Sequence, residues 1–244
     1  MKMPLTLLAL GLAAITAAPG AKEPEILDYD VIAVKRKLLL ATEDGERQLV
    51  VGDRAHSGDA LRTGSRSSTE LAAPARGALF HVESKTTFRL AHDRPGVLLE
   101  LERGRLRAVF EPAAEDDDRE RLVTTPSAVL AVRGTEYGVE VEKDGDTSVV
   151  VFEGTVEVRD SKGVGEAVSV HAGESTRIRR GRAAVAPRPH GVSRDDWDRG
   201  RSMNMPSTGS MGSPQQPMGG QGNMPEGSQG SSSKGGGGSK GHGR

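Results

Sequence analysis

The chain has 244 residues, a formal net charge of −1, 27% charged residues and no cysteine. Without cysteine there can be no disulfide and no lipidated N-terminal cysteine, so a folded domain must rely on its own apolar core. Seven Lys or Arg against four Asp or Glu give residues 188–244 a charge of +3 and, with Lys2 set aside, leave −5 for residues 22–187. That balance argues against a nucleic-acid binder, which needs a concentrated basic surface.

Residues 1–21 read as a signal peptide. Lys2 supplies a positive start, residues 5–18 form an apolar stretch, and small residues follow through Ala21. The stretch is shorter than the roughly 20 residues of a membrane-spanning helix. The expectation is cleavage near residues 18–21, a periplasmic or secreted protein, and no stable membrane anchor.

From residue 25 onward strand signals dominate. Alternating or wholly apolar runs of four to seven residues occur at 31–34, 37–40, 48–51, 59–62, 68–72, 78–82 and 86–90. Asp44-Gly45 marks a hairpin turn between the second and third runs, because its glycine suits positive φ. Further runs lie at 97–102, 105–110, 122–125, 129–132, 136–142, 147–153, 156–160, 167–171, 175–179 and 183–186. Outside the leader no window of eleven residues carries a helical period. The class is all-β.

Two of these runs echo one another. Leu99 to Val109 and Val149 to Val158 each bring an apolar run to a charged residue and a glycine, Gly104 or Gly154, and then resume alternation. Glycine inside a strand pattern marks a bulge or corner. Repeated short strands with glycine corners predict one β-solenoid-like or rolled β-sandwich domain over residues 25–187.

No chemistry is legible in the middle of the chain. The acidic run 115–118 lacks the alternating spacing and central glycine of a calcium loop, so it reads as a solvated loop. The six histidines are scattered and have no cysteine beside them, which leaves no zinc pattern. Nucleophile elbows, phosphate-binding glycine loops and zinc-protease helices are missing. The expectation is a non-enzyme with no cofactor, no metal and no catalytic residue.

Residues 188–244 turn to Gly, Ser, Pro, Gln, Asn and Met, a composition that predicts a disordered tail. Five methionines at irregular spacing there could bind Cu(I) only if clustered, and drift in a low-complexity segment is the simpler reading. Before it, Ser193 followed by Asp195-Asp196 has the form of a helix N-cap. That leaves Trp197 either docked through a short helix or exposed in a linker.

The sharpest string is Thr125-Pro126-Ser127-Ala128, running through Val132-Arg133-Gly134-Thr135 to Tyr137 and Val139. It is followed by Glu153-Gly154-Thr155-Val156 and by Ala172-Gly173-Glu174. Upstream, Gly52-Asp53 and Ser57-Gly58-Asp59 precede Arg62-Thr63-Gly64. Together these pieces, spanning about residues 45–178, resemble the FecR family, a periplasmic signalling domain of bacterial iron-uptake regulation. The resemblance implies a solenoid-like all-β domain acting as a binding or relay module, with an envelope or periplasmic protein as partner. The family's signalling regulators carry an anti-sigma domain and a membrane helix ahead of this portion, where this chain has the leader, so direct contact with a sigma factor is not expected.

Thr125, Pro126, Arg133, Gly134, Thr135, Glu153, Gly154 and Gly173 are thus candidate motif residues, either structural or partner-contacting. Backbone sterics favour structural roles for the glycines, while Arg133 could meet a carboxylate. A second reading is a structural envelope protein that holds cell-wall glycan. Sugar rings stack on exposed aromatic side chains, and the chain has one Trp, two Tyr and four Phe.

Overall fold

The computed structural model describes residues 26–113, 117 and 119–200. The leader, most of the acidic run and the methionine-bearing tail lie outside the described residues. Seventeen strands form one hydrogen-bonded sheet folded into two layers. They are β1 (Asp28–Lys35), β2 (Leu38–Thr42), β3 (Gly45–Leu49), β4 (Arg54–His56), β5 (Ala60–Thr63), β6 (Ser68–Ala73), β7 (Ala78–Val82), β8 (Thr87–Leu90) and β9 (Val97–Phe110). After a crossover come β10 (Leu122–Thr124), β11 (Ala128–Val132), β12 (Glu136–Val141), β13 (Thr147–Glu153), β14 (Thr155–Asp160), β15 (Val168–His171), β16 (Glu174–Ile178) and β17 (Arg188–Pro189). A one-turn helix, α1 (Arg194–Asp198), closes the described chain.

The first layer runs β4-β1-β6-β7-β9-β12-β13-β16-β17. The second runs β3-β2-β5-β8-β9-β10-β11-β14-β15. All pairings are antiparallel except β9 with β10. Strand β9 belongs to both layers: its first half pairs with β8 and β10, its second half with β7 and β12. The two runs separated at Gly104 in the sequence are therefore one 14-residue strand bent at that glycine.

Period-two burial explains the layering. Strand β6 alternates half-buried and buried residues, and β14 alternates exposed and buried ones. The inward sets, among them Leu38, Leu61, Phe88, Leu71, Phe80, Leu106, Tyr137, Val139 and Val158, form one apolar core shared by both layers. Tyr29 satisfies its hydroxyl by donating to Leu98 O at 2.7 Å. Among the described residues the chain crosses between the two layers at two opposite edges.

At the first edge the crossings are at 36–37, 50–53, 64–67, 83–86 and Gly104. They stack through Gly64 N to Lys37 O (3.3 Å), Lys85 N to Gly64 O (3.1 Å) and Glu83 N to Arg105 O (2.9 Å). Buried Thr86 joins two of them, its hydroxyl donating to Arg105 O at 3.2 Å and accepting from Arg105 N at 3.0 Å. At the second edge the crossings are at 57–59, Gly134, Gly154 and 172–173, where Ala172 N donates to Gly154 O at 3.0 Å. Between β9 and β10 the crossover is pinned by two buried arginines: Arg121 donates to Glu111 O at 2.6 Å, and Arg76 donates to Glu120 O.

The sequence reading ends the domain at residue 187, but the described chain continues. Residues 183–186, read as a strand, are not one. Val185 N makes a single bond to Arg177 O at 2.9 Å, and the pairing strand is β17. Beyond it, Ser193 caps α1 by accepting from Asp196 N at 3.1 Å. Trp197 is fully buried on the outer face of the first layer.

Candidate functional site

The motif residues divide between two places, separated along β11 by about 17 Å of extended chain. Thr125 and Pro126 form the β10–β11 turn. The Thr125 hydroxyl accepts from Ala128 N at 2.9 Å and meets the Thr147 hydroxyl at 2.8 Å. Ser127 donates to the same Thr147 hydroxyl at 2.7 Å. This buried hydroxyl cluster, with the Pro126 carbonyl accepting from Ser161 Oγ at 3.0 Å, ties three turns together.

Gly134, Thr135, Glu153, Gly154 and Gly173 meet at the second edge. Gly154 has φ 77°, and a Cβ there would lie 2.7 Å from the Gly134 carbonyl oxygen. Thr135 is buried and its carbonyl accepts from Phe110 N at 2.8 Å. Gly173 O accepts from His190 N at 2.9 Å, which starts the C-terminal strap. Glu153 is exposed and pairs with Arg194 at 3.5 Å.

Arg133 differs from all of these. It is exposed at the end of β11, and no ion pair or hydrogen bond joins its side chain to any described residue. Beside it lies a recess of about 200 Å³ lined by Leu122, Ala131, Val132, Asp117 and Arg119. The Arg119 side chain and its backbone N–H hold the Asp117 carboxyl far below the usual carboxylate range.

A second feature has no sequence signal. Across the outer face of the first layer a polar groove of about 490 Å³ is lined by Lys35, Glu70, His81, Glu83, Arg107 and Asp198. His81 and Glu70 pair at 3.1 Å. Arg107 makes a two-pronged contact with Asp198, both at 3.0 Å, and reaches Glu136 at 2.9 Å. Arg105 lies 4.1 Å over the Trp197 ring and donates to Trp197 O at 2.9 Å. Burial, and then the Asp198 carboxylate, raise the pKa of Glu83. These groups come from β1, β6, β7 and the turn after it, β9, β12 and α1, so only the fold brings them together. Among the described residues no group of three or more His, Cys, Asp or Glu is placed to hold a metal ion.

Residues 59–157 match the family model of the FecR protein. The chain carries a FecR domain. The match begins just before β5 and ends inside β14, so it contains Gly104, the hydroxyl cluster and the Arg133-Gly134-Thr135 corner. Two crystal structures from Parabacteroides distasonis, provisionally described as an anti-sigma factor, are similar to the chain at 17% identity and a TM-score of 0.44. The likeness covers 54% of this chain and 59% of theirs, so the FecR-containing chain spans less than two thirds of that length. No curated protein matches it.

Proposed function

We propose that this chain is an exported, non-catalytic FecR-type module that binds a protein of the cell envelope and relays a signal through it. The FecR match supports the relay class. The observation that carries the binding role is Arg133: the rest of its motif is spent on turns, on backbone packing and, at Glu153, on an ion pair with Arg194, while this guanidinium is exposed with no described partner. An exposed guanidinium is suited to two-pronged recognition of a carboxylate. Glycan binding has less support, because the seven aromatic side chains are all among the described residues and none is exposed.

Two measurements test the reading. N-terminal sequencing of the exported protein should begin between residues 19 and 22, whereas a product that begins at Met1 contradicts export. Affinity capture from solubilised envelope should retain a defined protein; retention only on cell-wall material supports the glycan-holding role instead.

A further inference from the structure

The two edges turn the chain with different residues. At the second, the positive-φ positions are Gly58, Gly134, Gly154 and Gly173. At the first, three of the five crossings use Arg36 (φ 69°), Arg66 (φ 54°) and Lys85 (φ 58°), with Gly52 and Gly104 at the other two. Side-chain-bearing L-residues are disfavoured in that region, and glycine relieves the clash. Three long cations therefore stand where backbone geometry alone favours glycine.

Lys35 and Lys37 flank the first of these crossings and Arg103 the last. All six cations are exposed, and none has a side-chain hydrogen bond or ion pair with a described residue. The backbone bonds between crossings set neighbours about 5 Å apart, which makes a ridge about 15 Å long. Of the nearby acids, Glu102 is exposed beside Arg103, and Glu83 lines the groove on the layer face. The charge of −5 over residues 22–187 gives no sign of this row of cations.

We propose that this ridge docks the protein reversibly on an anionic lipid bilayer. The crossings form a folded edge; Lys35 and Arg66 border the polar groove on one side of it, while Arg36, Lys37, Lys85 and Arg103 lie outside that groove, an arrangement that suits a flat surface. Their backbone groups are already bonded to one another, as in Gly64 N to Lys37 O and Lys85 N to Gly64 O, so a partner strand finds no free ladder there. Apart from Val50 and Val51 at the 50–53 crossing, none of the exposed large apolar residues lies at these crossings, so attachment rests mainly on charge and weakens with salt. Each cation beside such a surface strengthens binding about fivefold. The inference does not depend on the proposed envelope partner.

The test is co-sedimentation of the full-length chain with phosphatidylcholine vesicles, with and without a minority of phosphatidylglycerol, at low and high salt. The wild type should prefer the anionic vesicles and lose that preference in high salt. The triple variant Arg36→Gly, Arg66→Gly, Lys85→Gly should bind them about 100-fold more weakly, with equal or higher Tm. A second variant, Lys35→Gln, Lys37→Gln, Arg103→Gln, leaves every positive-φ position intact and should weaken binding similarly. Unchanged partition of both variants, or a wild type indifferent to lipid charge, overturns the proposal. So does a wild type that ignores vesicles but binds polyglutamate or duplex DNA.

Discussion

A side chain at Gly104 would bring its Cβ to 2.6 Å from Thr86 Cα, and one at Gly154 to 2.7 Å from the Gly134 carbonyl oxygen. Those atoms belong to crossings bonded to their neighbours, so they cannot retreat without breaking the stack. Left-handed strain of about 1–3 kcal/mol adds to the clash. Gly104→Ala and Gly154→Ala should each cost about 3 kcal/mol or more in chemical denaturation. Gly173→Ala, whose Cβ would meet nothing within 4 Å, should cost only about 1 kcal/mol. Equal losses at all three would mean that the crossings do not press on one another. Glu83 gives a pH signature. Burial and Asp198 raise its pKa, so the folded state holds the proton more tightly than the unfolded state. The penalty of its ionisation is absent below the unfolded value of about 4.3 and grows as pH rises through the folded value. Glu83→Gln should therefore raise Tm at neutral pH and give no gain near pH 4. A lower Tm at neutral pH would show instead that the carboxylate makes a stabilising contact.

The strap formed by β17 and α1 covers the face of β12 and β13. Trp197 packs at 6.3 Å from Phe152 and over Gly138, where a Cβ would come within 2.4 Å of the indole. Trp197→Ala should cost about 3–5 kcal/mol, the range for a large buried aromatic. A chain ending at Gly200 should match the full chain in Tm, while one ending at Pro187 should melt lower; equal melting of the two would show that α1 adds nothing. Most strands are legible in the sequence because one face of each is apolar at period two. The three residues of β4 are not, since only Ala55 among them is buried. Residues 183–186 have a strand's composition but find only one backbone partner. The Asp195-Asp196 cap signal is legible at Ser193, but the docking of Trp197 is not, because its receptor is the missing side chain of Gly138. Nor is the groove: Glu70, His81, Glu83, Arg107 and Asp198 are each ordinary surface residues until registry sets them side by side.

At the scale of the molecule, one sheet is folded over itself with β9 common to both layers, and the chain crosses between the layers at two opposite edges. One edge carries the row of cations, the other the glycine corners and Arg133. The long motif around Arg133 is thus mainly a device for closing the second edge, and the guanidinium is the part left over for recognition. The most direct test is to measure binding and stability together for Arg133→Glu in the full-length chain. The variant should keep its stability within about 0.5 kcal/mol of wild type, as an exposed substitution does. It should also lose the envelope protein that the wild type captures. Capture of the same protein in the same yield by Arg133→Glu would contradict the account and leave the whole motif a scaffold.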